Sequence, residues 1–104
     1  MGNRRRFTIT AALPYANGPL HIGHIAGAYL SSDIYARFRR LQSHDVLFVC
    51  GSDEHGAAIT MRAKKEGRSP RDIIDTYHLR NTKAFEAIGI SFDIFHRTSS
   101  ELHH

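Results

Sequence analysis

Ala11-Ala12-Leu13-Pro14-Tyr15-Ala16-Asn17-Gly18-Pro19-Leu20-His21-Ile22-Gly23-His24 reads as the end of a strand, a tight turn and the first turn of a long helix. Phe7, Ile9 and Ala11 alternate with Thr8, Thr10 and Ala12, a period-two pattern with β-branched residues that predicts a strand from about Arg6. Pro14 cannot donate to a sheet ladder and Asn17-Gly18-Pro19 is dense turn chemistry, so the strand is expected to stop near Leu13. Beyond Leu20 the apolar spacing becomes helical, and His21 and His24, three apart, fall on one face at the helix start.

A helix start carries unpaired N–H groups and the positive end of the macrodipole, so it attracts phosphate. Two imidazoles there can donate hydrogen bonds to phosphate oxygens, more strongly if protonated. Gly18 and Gly23 allow backbone to approach a ligand closely. The bland alternative is two polar residues at a helix start. A zinc reading needs a third and fourth ligand, for which Asp53, His55 and Cys50 are the candidates, and the His spacing differs from the H-E-x-x-H of zinc peptidases. No metal ligand is assigned.

The 104 residues suffice for one small domain, and 41% hydrophobic with 23% charged residues excludes a disordered chain. A net charge of +4 makes an anionic partner plausible without pointing to nucleic acid by itself. Cys50 stands alone, which excludes an internal disulfide and fits a reducing, cytoplasmic setting. No apolar run nears the roughly 20 residues that span a membrane, and Arg4-Arg5-Arg6 is followed by no apolar stretch of a secretory signal.

Taken in order, residues 1–5 read as a solvated basic lead-in. The helix is expected from about Leu20 to Gln42, with Ile25, Ala28, Tyr29, Ser32, Tyr35 and Arg39 as its stripe and Ile34, Phe38 and Leu41 widening it. Arg37, Arg39 and Arg40 in its last turns suit either a solvated helix end or an RNA backbone. Val46-Leu47-Phe48-Val49-Cys50 predicts a central parallel strand buried on both faces, completing a βαβ unit.

That strand leads into Gly51-Ser52-Asp53-Glu54-His55-Gly56, at the carboxyl end where open α/β sheets bind ligands. Asp53 can receive a substrate ammonium or cap the next helix, its role can be shared with Ser52 and Glu54, and His55 can line the same cleft. A helix from Ala57 to Glu66 should stop at Gly67. Ser69-Pro70-Arg71-Asp72 opens another, which presents Ile73, Ile74, Tyr77, Ala84, Phe85 and Ile88 and ends at Gly89. Ile90, Phe92 and Ile94 alternate with Ser91 and Asp93 as a third short strand or extended segment; the apolar residues of the two helices, Ile59 and Met61 among them, are expected in the core. The polar stretch 97–104 carries no ending signal, and His103 and His104 are given no metal role.

With these residues in view, the chain resembles the N-terminal part of the methionyl members of the class I aminoacyl-tRNA synthetases, from about Phe7 to the third strand. His21-Ile22-Gly23-His24 matches their HIGH signature. Pro-Tyr-Ala-Asn-Gly is shared with isoleucyl enzymes, but Ala12-Leu13 before Pro14 and Gly51-Ser52-Asp53-Glu54-His55-Gly56 lean to methionine. The resemblance implies an α/β fold: the βαβ-type first half of a Rossmann-like nucleotide-binding domain with parallel strands. It implies a methionine–tRNA ligase that forms methionyl-adenylate from methionine and ATP, then charges tRNA(Met), in the cytoplasm.

It further implies that His21 and His24 are catalytic, and that Tyr15, Asn17, Gly18, His21, Gly23 and His24 bind ATP, with Gly23 letting the adenine pack close. Ala12, Leu13, Tyr15 and Asp53 would hold methionine, the Asp53 carboxylate or the Leu13 carbonyl taking its ammonium. Magnesium would arrive with ATP. The KMSKS loop, the zinc-binding connective insertion and the anticodon domain of longer members have no counterpart in residues 1–104. The expectation is therefore a truncated half-domain with little or no activity alone, whose partners include its own missing strands. The alternative is a stand-alone nucleotide-binding or nucleotidyltransferase module of the same superfamily.

Overall fold

The computed structural model describes residues 3–101, so His103 and His104 lie outside the described residues. Three parallel strands, β1 (Arg6–Thr10), β2 (Asp45–Ser52) and β3 (Ile94–Arg97), form one sheet in the order β1-β2-β3. Arg6 pairs with Asp45 and Thr10 with Val49, while Val49 to Ser52 pair with Ile94 to Arg97. The middle strand thus slides from one partner to the other, and its last residues lie beyond the end of the β1 ladder.

Between β1 and β2 runs a helical crossover in three parts: α1 (Ile22–His24), a π-helical segment (Ile25–Tyr29) and α2 (Leu30–Leu41). The single helix expected from Leu20 to Gln42 is therefore interrupted. The Leu30 N–H reaches back five residues to the Ile25 carbonyl, and the Ser32 hydroxyl donates to the Ala28 carbonyl at 2.6 Å. A π turn holds one extra residue, which rotates the helix after it by roughly 100° relative to the helix before it. The buried face past it is Tyr29, Asp33 and Ala36, whereas Ile34, Tyr35, Phe38 and Leu41 stay exposed. The expected stripe is displaced because its inner row contains a carboxylate: Asp33 accepts from the Ser91 N–H at 2.7 Å and from Arg37 at 2.8 Å. Burial alone would raise the Asp33 carboxyl, but these hydrogen bonds outweigh it and hold it below the usual carboxylate range.

The same loop takes up the arginines. Arg37 donates to the Gly89 carbonyl, and Arg40 to the Ser91 hydroxyl at 2.7 Å and the Asp93 carboxylate at 3.0 Å. Arg39 stacks over Phe7, 4.6 Å from its ring centroid. Neither a merely solvated end nor a free RNA-facing cluster describes them, because the loop after the last helix offers carbonyls and a carboxylate within reach. The lead-in is also tied down, with Arg4 on Asp45 and the Arg5 N–H on His44.

The remaining helices, α3 (Ala57–Glu66) and α4 (Pro70–Ala87), end and begin as the sequence predicts. Gly67 caps α3 in the left-handed region at φ 66°, and the Ser69 hydroxyl accepts from the Asp72 N–H at 3.1 Å. Ile59, Ala63, Ile73, Ile74 and Tyr77 form one core with Ala16, and Phe85 of α4 joins Tyr29, Ala36, Phe48 and Ala11 in a second. Met61 and Ile88 are exposed rather than in the core. β3 starts only at Ile94, because Ile90 and Phe92 turn instead onto the second core and the Asp93 carboxylate binds the Phe48 N–H at 2.7 Å.

β1 stops at Thr10, earlier than Leu13, since the chain must leave the ladder before the Pro14 turn. β2 extends past Cys50 to Ser52, the extra residues being those that pair with β3. It is central and parallel but is covered on one face only. Phe48 is fully buried under the helices, while Leu47 on the opposite face is 43% exposed, alongside exposed Thr8, Thr10, Ile94 and His96. The described helices supply one layer, so the apolar run is continuous without both faces being covered.

This asymmetry predicts unequal costs in urea denaturation. Phe48→Ala should cost about 3–5 kcal/mol by emptying a packed site, whereas Leu47→Ala should cost about 1 kcal/mol or less.

Candidate functional site

The strand ends are rejoined beyond the ladder. Tyr15 and Asp53 form an isolated parallel bridge, in which the Ala16 N–H donates to the Asp53 carbonyl at 2.9 Å and the Asp53 N–H to the Pro14 carbonyl at 2.9 Å. The chain thereby arches outward over residues 11–14 and returns, leaving a cleft of about 370 Å³ between this arch and the crossover helix. Ala12, Leu13, Tyr15, Asn17, Gly18 and His24 line it, with Tyr29 at the base. Six of the expected site residues are thus brought together.

His21, Gly23 and Asp53 are outside that lining. His21 is the N-cap of α1: its Nδ1 accepts from the Gly23 N–H at 3.1 Å, while the His24 Nδ1 accepts from the His21 N–H at 3.4 Å. This reciprocal arrangement is a capping box made of two histidines. The rings stack at 3.6 Å between centroids. Both Nδ1 atoms are thus taken up by the cap, which leaves the Nε2 edges of the two rings free of it. Gly23 matters here for His21, since a Cβ would lie 2.9 Å from the His21 ring.

Asp53 does not cap α3; Gly56 is the N-cap, at φ 130°, with no side-chain hydrogen bond. The bridge holds the Asp53 backbone too far upstream, and its carboxylate instead takes the His55 N–H at 3.4 Å. Ser52 and Glu54 point away from any shared ligand role. Ser52 is buried against His78 at 2.6 Å, and the Glu54 side chain, fully buried, is gripped by Arg97 at 2.6 and 2.8 Å and by Ser99 at 2.8 Å. Burial would raise the Glu54 carboxyl, but the Arg97 and Ser99 contacts outweigh it and bring it below its ordinary value. His78 is lowered by burial first and by the Arg97 charge second. His55 binds the Thr98 carbonyl at 3.3 Å through its ring instead of lining the cleft.

Burial pushes the Cys50 thiol up to about 11, so it stays protonated against the Ala11 and Ala12 carbonyls. Among the described residues no three His, Cys, Asp or Glu side chains converge as metal ligands, and no helix is long and apolar enough to cross a membrane.

The family model for "tRNA synthetases class I (M)" matches residues 7–104. The chain belongs to this family. Methionine–tRNA ligases of Bacteroides fragilis and Christiangramia forsetii are each 61% identical to it over 102 residues, 98% of this chain and 15% of theirs. Among solved structures, Mycobacterium tuberculosis methionyl-tRNA synthetase in complex with methionyl-adenylate superposes with a TM-score of 0.92 at 35% identity. That match covers 96% of this chain and 19% of the other. This chain thus spans about 15% of the length of the curated relatives it matches, and the fold it shares with the solved structure is the Rossmann-like one expected.

Sequence reasoning missed two things around this site. The Glu54–Arg97–Asp75 network was hidden in a stretch without periodicity, and only the acid in Ser52-Asp53-Glu54 and the lone Arg97 hinted at it. The contact between Tyr15 and Gly56 was also unseen. The Tyr15 hydroxyl donates to the His55 carbonyl at 2.5 Å and occupies the space a Gly56 side chain would take.

Gly56→Ala should therefore displace Tyr15 and cost about 2 kcal/mol or more from the positive φ and the collision together; tyrosine ring NMR signals and a urea midpoint check both. Acid should act in two stages. The unfolded chain protonates His78 near 6.5 and Glu54 near 4.5 before the folded chain does, so stability falls as pH drops through each value. His78→Gln should remove the first stage from a series of urea midpoints.

Proposed function

We propose that this chain forms the HIGH-motif half of the catalytic nucleotide-binding domain, residues 1–104, of a cytoplasmic methionine–tRNA ligase. The observation that carries the reading is the cleft flanked by the double-histidine cap, in a chain that superposes on a synthetase whose complex holds methionyl-adenylate. In the reaction, the methionine carboxylate attacks the α-phosphorus of ATP; the new bond is the acyl–phosphate bond of methionyl-adenylate, and pyrophosphate leaves with the electron pair. Transfer of the methionyl group to tRNA(Met) completes the sequence.

His21 and His24 donate from Nε2 to phosphate oxygens whose charge grows as the carboxylate adds. Fixing both rings beforehand by the cap avoids reorganisation at that moment. Tyr15, Asn17, Gly18 and Gly23 accompany them at ATP. The Ala12 and Leu13 backbone, the Tyr15 ring and Asp53 hold methionine, with Asp53 or the Leu13 carbonyl receiving the ammonium. Magnesium enters bound to ATP as part of the substrate, and the reading gives zinc no site in this chain, only room for one in a full-length protein.

Because relatives of this chain are several times longer, the complete activity is assigned to a protein of their length, and this chain alone is expected to charge tRNA weakly or not at all. The open sheet face around Leu47 and Ile94 supports further strands and helices of the same domain as partners.

Amide NMR titration with Mg-ATP tests the reading, with shifts expected at Asn17, Gly18, Gly23 and both histidines. His24→Ala should weaken Mg-ATP binding about tenfold, the loss of one hydrogen bond to a charged group. His21→Asn keeps an acceptor for the Gly23 N–H, so it should preserve the helix start while still weakening ATP. Unchanged spectra on adding Mg-ATP, or wild-type affinity in both variants, would refute the assignment.

A further inference from the structure

The segment after β3 grips the segment after β2 more tightly than strand pairing requires. The Thr98 N–H donates to the Ser52 carbonyl at 3.1 Å, and the Thr98 hydroxyl accepts from the Glu54 N–H at 2.8 Å. One buried residue therefore holds the backbone on both sides of Asp53. Its own carbonyl meets the His55 ring at 3.3 Å, and its neighbour Arg97 forks onto Glu54 and reaches Asp75. None of Arg97, Thr98, Glu54 or Asp75 lines the cleft that Tyr15 lines, while Arg97 and Thr98 border a neighbouring pocket of about 310 Å³ on the other side of Leu13. Tyr15, however, hangs on this segment twice, through its hydroxyl on the His55 carbonyl and through the bridge to Asp53. The histidine cap, by contrast, is closed within residues 21–24.

We infer that Thr98, supported by the Arg97–Glu54 pair, is a positioning residue for the amino-acid side of the cleft, fixing the segment from which Asp53 and Tyr15 take their places. The inference rests on the methionine-activating reading above. Its physical content is a division of the site. The phosphate end is preorganised by a local cap, and the amino-acid end is preorganised from β3, through residues outside the cleft that Tyr15 lines.

Thr98→Val keeps the shape and removes the acceptor, leaving the buried Glu54 N–H unpaired. Thr98→Ser keeps the hydroxyl. Calorimetric titrations with methionine and, separately, with Mg-ATP should show Thr98→Val weakening methionine about tenfold with Mg-ATP changed less than about twofold, and Thr98→Ser restoring both. Tyrosine ring and Asp53 amide NMR signals of the ligand-free Thr98→Val chain should move while those of Gly23 and His24 stay. Should Thr98→Val not fold, Arg97→Lys, which loses the fork onto Glu54, is expected to show the same split at smaller amplitude. Parallel loss of methionine and Mg-ATP, or methionine bound as by wild type, overturns the positioning role. Wild-type chain that binds neither ligand overturns the functional reading itself, and the inference with it.

Discussion

Two backbone hydrogen bonds, from Ala16 to Asp53 and from Asp53 to Pro14, hold the site of this protein open. β1 ends at Thr10, and without them the turn 11–20 would be a loose connection into the crossover helix. With them, the arch is anchored at both ends, and its peptide groups are fixed without being used up in a ladder. The bridge depends in turn on where β2 ends. That is set by β3, because the last residues of β2 pair only with Ile94 to Arg97. The cleft is thus the product of a sheet whose middle strand exchanges one neighbour for the other along its length.

The crossover helix solves a related problem. In the proposed reading its first residues present imidazoles to a ligand, and its later residues bury Tyr29, Asp33 and Ala36. A regular helix would keep those two faces in fixed phase. The π turn at Ile25–Tyr29 shifts one against the other, which fits the frequent use of such turns at functional sites.

Much of this was legible. Proline and glycine punctuation located the turn, the helix stops at Gly67 and Gly89 and the Ser69 cap, because those residues act through local backbone preference that needs no tertiary context. The βαβ order came from periodicity. What stayed hidden was decided at long range. Asp33 and Arg40 read as the polar side of α2, yet each finds its partner in the loop before β3. Asp53 fitted a helix cap by composition, but the bridge to Tyr15 placed the cap at Gly56. Of the candidate site, Ala12, Leu13, Tyr15, Asn17, Gly18 and His24, which the family resemblance implied, line one cleft, while the reciprocal histidine cap needed coordinates: no pattern states which ring nitrogen accepts.

The parallel pairing also governs how such a chain reaches its fold. Every ladder here joins residues separated by a whole helix or more, so no strand pair can form before a long loop has been closed at an entropic cost. The helices α3 and α4, joined by a short capped turn, can form first and offer Phe85 as a surface on which β2 condenses. Until then the run Val46–Cys50 is uncovered on both sides, and afterwards Leu47 and Ile94 still are on one. Assembly is thereby a race between condensation onto the helices and intermolecular strand pairing, and dilute, unhurried refolding favours the former.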